Sequence, residues 1–160
     1  MSVIISFISI VLLTAIDQVI KFFVEKNLQP VGTAEFIKGF IGWNYVQNTG
    51  AAFGSFSQNT VLLSVVTGIV LVVGMILIAT KKIKSKFYLV CAVMIISGGL
   101  GNLIDRILRG YVVDFIDVQF TDFAVFNFAD ILVTVGAIAL MIYIIIDMFK
   151  DRKKSGEKHE

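Results

Sequence analysis

Histidine, cysteine and proline are almost missing from this chain. Its one histidine, His159, stands in the charged C-terminal tail, and its one cysteine, Cys91, lies in the apolar run YLVCAVMII. A single cysteine closes no internal disulfide. A nucleophilic thiol needs a histidine beside it, and a His/Cys metal site needs several such ligands. The sequence offers neither, so Cys91 reads as a small core residue and no cofactor is expected. The single proline, Pro30, acts with Gly32 as a helix breaker. Charge is also scarce. Charged residues make up 16% of the chain and the net charge is +2, which gives no footing for a nucleic-acid partner. What is present is apolar: 57% of the residues are hydrophobic, against roughly 45–50% in soluble domains. The chain reads as an integral membrane protein.

Four segments are long and apolar enough to cross a bilayer, which takes about 20 residues. They cover residues 3–24, 60–80, 87–106 and 129–149. The first begins MSVIISFI, without a basic region or a small-residue cleavage site, so it reads as a retained helix rather than a leader. Two mixed polar segments, 25–59 and 107–128, separate the spans. In them EFIKGFIGWNYVQN and YVVDFIDVQF carry aromatic and β-branched residues in loose alternation, which favours strands. NTGAAFG reads as a turn. The expected fold is therefore a membrane all-α bundle of four transmembrane helices with a small extracytoplasmic β-sheet and loop. Residues 1–150 form a single domain, and 151–160 a solvated, disordered basic tail that touches anionic membrane lipids. KKIKSK and that tail are the basic segments and fall on one side, which the positive-inside rule makes cytoplasmic. Both termini are then inside, and both polar segments outside.

One stretch concentrates the chemistry. Residues 98–130 read GGLGNLIDRILRGYVVDFIDVQFTDFAVFNFAD and hold Asp105, Asp114, Asp117, Asp122 and Asp130. Carboxylates so close to apolar spans are costly and mark a functional site. Gly98, Asn102 and Arg106 share one helix face, Ser97 and Gly101 form a small-xxx-small contact, and Asp105 can pair with Arg109. Helical spacing also pairs Asp17 with Lys21 and aligns Asn127, Asp130 and Thr134. For Asp105 and Arg106 the plain alternative is a helix end reaching water. For Asn48 it is turn chemistry. Two carboxylates at a water-accessible site can hydrolyse an amide: one, ionised, takes a proton from water while the other donates one. Asn and Arg side chains would hold the peptide and the developing oxyanion. The residues alone leave open which aspartates pair. Asp130 is favoured because it opens a span, with a partner from 107–128 or Asp105.

Five pieces in order, DQVIK at 17–21, NTGAAFG at 48–54, GGLGNLIDR at 98–106, VVDF at 112–115 and FNFAD at 126–130, resemble the lipoprotein signal peptidase family, also called signal peptidase II. The resemblance covers nearly the whole chain except the tail. It implies an aspartic endopeptidase of the bacterial cell membrane, with Asp114 and Asp130 as catalytic dyad. Asn48, Asn102, Arg106 and Asn127 would line the substrate site, with Asp17, Lys21 and Asp105 in support. It implies a surface sheet, or cradle, within 25–59. It also implies a substrate, a prolipoprotein cut just before a diacylglyceryl-modified cysteine by a monomeric enzyme. Ile131 departs from the family, where Ser commonly follows AD, and the loop between Asp114 and Asp130 is short, implying a smaller flap. The competing readings are a small channel or proton-coupled carrier, and a structural four-helix scaffold. A carrier would spread its carboxylates through the span depth, whereas here they cluster at one end. A scaffold leaves two separate Asn–Asp clusters unexplained.

Overall fold

The computed structural model describes residues 2–50 and 60–156, with side chains up to Lys150. Its elements run α1 (Val3–Asn27), β1 (Thr33–Ile37), β2 (Ile41–Asn48), α2 (Thr60–Ala79), α3 (Lys86–Arg109), β3 (Val112–Val118) and α4 (Phe128–Gly156). Among the described residues, four helices are long and apolar enough to span a membrane. Their outer faces stay apolar and uncovered, as at Ile4, Val61, Ile69 and Met141. Apolar surface of this extent is stable only against lipid.

Helix α3 is the centre, packing against α1, α2, α4 and β3. Small residues make this possible. A Cβ on Gly98 would overlap the Ala129 carbonyl oxygen and come within 2.8 Å of Val133 Cγ2. A Cβ on Gly101 would run into the Asp17 carboxylate. The expected small-residue contact is therefore real, and at Gly101 the space is taken by a charged group. The Thr14 hydroxyl donates to the Ser97 carbonyl across the same seam, at 3.2 Å. An apolar core of Ile10, Leu71, Ile78, Leu89, Val93 and Ile96 joins α1, α2 and α3.

The three strands form one antiparallel sheet in the order β1-β2-β3. Strand β2 pairs with β3 from Ile41↔Val118 to Asn48↔Val112, with a register shift between Trp43 and Val46. Val112, Val113, Asp114 and Phe115 are all buried, so β3 lacks the half-exposed alternation of a surface strand. The chain beyond β3 folds back: Phe115 and Ile116 donate to the Phe126 carbonyl at 3.0 and 2.8 Å, and Phe126 donates to that of Ile116.

Three expectations need correction. The third span runs three residues past 106 and stops at Gly110, which caps it with φ 81°. That left-handed conformation suits glycine and ends a helix. Helix α4 continues through Gly156, so residues 150–156 are helical rather than a disordered tail. Asp105 is fully buried, so the end of α3 does not simply reach water there. Of the NTGAAFG turn, residues 51–54 lie outside the described residues.

Candidate active site

Asp114 stands mid-strand in β3 and Asp130 in the first turn of α4. Asn127 precedes α4, and its side-chain oxygen accepts from the Asp130 N–H at 2.9 Å. In return Asp130 Oδ2 accepts from the Asn127 N–H at 3.1 Å. This reciprocal pair is a capping box, which explains why FNFAD starts a helix and fixes the Asp130 rotamer. A carboxylate also suits the positive end of the helix dipole.

Amides bind the two carboxylates into one network. Asn127 Nδ2 donates to Asp114 Oδ1 at 2.6 Å and to Asn102 Oδ1 at 3.1 Å. Asn102 Nδ2 donates to Asp130 Oδ1 at 2.7 Å. Asn48 Nδ2 donates to Asp114 Oδ2 at 2.9 Å, while its oxygen accepts from the Gly50 N–H. Asn48 thus makes the turn contact weighed for it and also holds Asp114. Burial pushes the Asp114 carboxyl up to about 6, with the Asp130 charge adding to the rise. The Asn48 and Asn127 hydrogen bonds and the Lys21 charge act against it.

These residues open onto a cavity of about 600 Å³. Asn48, Asn102, Arg106, Asp114 and Asp130 supply its polar wall, and Phe123, Phe126, Ile131, Val133 and Thr134 line the rest. Phe123 and Phe126, edge to face at 5.7 Å, belong to the segment between β3 and α4. Arg106 Nη2 donates to the Gly50 carbonyl at 3.1 Å. Its buried Nε has no hydrogen-bond partner among the described residues.

Behind the carboxylates lies a second charge cluster, with Asp17, Lys21 and Asp105 fully buried and Arg109 and Glu25 at its partly exposed edge. Lys21 Nζ meets Asp17 Oδ2 at 3.0 Å, Asp105 Oδ2 at 2.7 Å and Asn102 Oδ1 at 2.9 Å. Arg109 pairs with Asp105 at 2.9 Å and with Glu25 at 3.0 Å. The expected Asp17–Lys21 and Asp105–Arg109 pairs both form. Gln18 and Glu25 were not foreseen. Gln18 Nε2 donates to Asp17, the Gly101 carbonyl and Asp105. The legible signal was position: Gln18 and Glu25 lie on the same helix as Asp17 and Lys21, near enough to share their face. The structure gathers the nine site residues named from the sequence at one end of the bundle. It leaves out Asp117 and Asp122, and Asp122 is exposed on the surface.

The family described as signal peptidase (SPase) II matches residues 9–146. A lipoprotein signal peptidase of Caldanaerobacter subterraneus subsp. tengcongensis is 45% identical over 128 residues, covering 78% of this chain and 85% of that one. A lipoprotein signal peptidase of Lactococcus lactis subsp. cremoris is 39% identical over 147 residues, covering 92% and 97%. A solved bacterial membrane enzyme superposes with a TM-score of 0.81 at 32% identity, covering 89% of this chain and 88% of that structure. A second bacterial membrane enzyme gives 0.77 at 32% identity, covering 87% and 91%.

Proposed function

Because this chain belongs to the signal peptidase II family, a family of multi-pass membrane peptidases, we propose that it removes signal peptides from lipoprotein precursors with Asp114 and Asp130 as an aspartic dyad. The observation that carries the reading is the shared network: Asn127 touches both carboxylates, and Asn102 closes the ring between them. Two carboxyl groups linked this closely share one proton. Asp114, which burial holds protonated up to about pH 6, supplies the proton. Asp130 acts as base. It takes a proton from water, whose oxygen attacks the scissile carbonyl carbon while Asp114 protonates the carbonyl oxygen. The proton on Asp130 then passes to the amide nitrogen, the C–N bond breaks, and the diol returns its proton to Asp114 as the carboxylic acid forms. No metal is needed for these steps.

Asn48, Asn102, Arg106 and Asn127 hold the peptide. Arg106 Nε, without a partner among the described residues, supports this, since a buried donor beside a cavity is satisfied when a substrate carbonyl arrives. The apolar half of the cavity, with Ile131 and Val133, suits the residues of a signal peptide next to the cut. The lipid on the substrate cysteine places the bond. Each CH₂ buried in apolar surroundings contributes about 0.8 kcal/mol, so two acyl chains stay in the membrane and fix the depth of the peptide.

The test is cleavage of a purified prolipoprotein, with and without its diacylglyceryl group. Asp114→Asn and Asp130→Asn abolish turnover while the protein stays folded in detergent. Asp122→Asn is close to silent. The unmodified precursor is cut far more slowly than the lipidated one. Near-normal turnover by either dyad variant would remove that residue from the chemistry.

A further inference from the structure

Lys21 lies on α1, apart from the cavity, and its side chain is completely buried. An ammonium has three protons and no acceptor. Here the three meet three oxygens, Asp17 Oδ2, Asp105 Oδ2 and Asn102 Oδ1. Each oxygen belongs to a side chain that reaches on toward the dyad. Asp17 Oδ1 accepts from the backbone N–H of Ala129, the residue before Asp130, at 3.0 Å. Asp105 Oδ2 accepts from the backbone N–H of Val113, the residue before Asp114, at 3.3 Å. Asn102 Nδ2 donates to Asp130 itself.

We propose that Lys21 is the positioning residue of the dyad: it ties the backbone before each catalytic aspartate to one fixed point and holds the Asn102 amide with its N–H toward Asp130. This rests on the dyad reading above and gives it a mechanical origin. The two carboxylates come from a strand and a helix that share no hydrogen-bond ladder. Something must fix their separation, and the three arms of Lys21 reach both.

The amide orientation follows from donor counting. Asn102 Oδ1 accepts from Lys21 and from Asn127, so its NH₂ is left for Asp130. A flipped amide would set a carbonyl against a carboxylate and an NH₂ against an ammonium. The Lys21 charge also bears on Asp114 directly, easing its ionisation. The charged groups that act on Asp114 are Lys21 from α1, Arg106 from α3 and Asp130 from α4. Strand β2 contributes the neutral Asn48.

Two variants test this, Lys21→Met and the double variant Lys21→Met/Asp17→Asn. The second removes the carboxylate that the first leaves unpaired, while Asp105 keeps Arg109. Two readouts are taken on the full chain in detergent. The first is kcat and KM for a lipidated precursor. The second is an infrared titration of the carboxyl groups, assigned to Asp114 by difference from Asp114→Asn, which needs no turnover. In both variants kcat falls roughly 100-fold with KM within about twofold, as loss of alignment predicts. In Lys21→Met the Asp114 midpoint moves to higher pH, because a nearby positive charge is gone; in the double variant it moves less, because the Asp17 charge goes too. A folded variant with wild-type kcat, or an unmoved midpoint in Lys21→Met, would overturn the proposal. Failure of both variants to fold would also overturn it, by assigning Lys21 to the fold rather than to the dyad. If the wild-type protein cuts no precursor, the peptidase reading fails, yet the titration still decides whether Lys21 governs Asp114.

Discussion

At Asp114 a carboxylate is held 1% exposed between β2, α4 and the end of α3. Two amide donors satisfy its oxygens, yet burial still raises its proton affinity, from an ordinary 3.8 to about 6. The folded protein therefore binds the Asp114 proton more tightly than the unfolded chain does. Between pH 3.8 and about 6 the native state carries more protons, so its stability falls as pH rises through that window. The full effect is about 3 kcal/mol at most, at 1.36 kcal/mol per unit of pKa. Asn at this position has no proton to lose. Thermal unfolding in detergent at pH 4.5 and 7.5 checks this: relative to Asp114→Asn, the wild type loses stability between the two values. An equal pH response in both proteins would mean that Asp114 ionises as easily folded as unfolded. A carboxyl whose burial favours the protonated form that the reaction uses as an acid is expected at an active site.

Among the elements, α3 bears the closest constraint. Gly98 lets its backbone approach the Ala129 carbonyl, one residue before Asp130. Gly98→Ala would push α4 away from α3, because the obstructing atom is backbone and cannot rotate aside. Overpacking of this kind costs roughly 1–3 kcal/mol. It would also lengthen the 2.7 Å bond from Asn102 to Asp130. The expected outcome is a lower melting temperature together with a larger loss of kcat than of substrate affinity. Gly68→Ala is the control, since its nearest neighbour is a Leu103 side-chain carbon at 4.0 Å. Losses of equal size at both positions would argue against a special role for the α3–α4 seam.

Much of this element scale was legible in the sequence. The four spans are apolar runs of bilayer length, and the strands carry alternating β-branched and aromatic residues. The Asp17–Lys21 and Asp105–Arg109 pairs follow from helical spacing alone. Spacing could not show that Lys21 reaches Asp105, which is 84 positions away in sequence, or that Asp17 receives an N–H from α4. Those contacts depend on how the helices pack, and a contact between two elements leaves no periodic trace in either. The end of α3 falls later than its charge suggests, because Asp105 and Arg106 look like an exit to water. In the fold, the buried Asp105 and its partners extend the helix to Gly110. Residues 150–156 were misread because their charge suits solvent, whereas a helix already nucleated in α4 can propagate through lysines and arginines of good propensity.

On the scale of the whole molecule, the site's place at one end of the bundle gives it a side of the membrane. The connection between α2 and α3 carries Lys81, Lys82 and Lys84, Lys86 opens α3, and all four lie at the opposite end from Asp114 and Asp130. Lysines flanking spans are retained on the cytoplasmic side. The sheet, the cavity and the β3–α4 segment would then face outward, where exported precursors arrive. Asp122 and Lys82 are both exposed and stand at opposite ends, so each can report its own side. In a Cys91→Ser background, which removes the buried native thiol, Asp122→Cys should react with a membrane-impermeant maleimide in intact cells. Lys82→Cys should react only after the membrane is opened. The reverse pattern would put the dyad in the cytoplasm, away from translocated lipoprotein precursors, and would leave the proposed cleavage without access to its substrate.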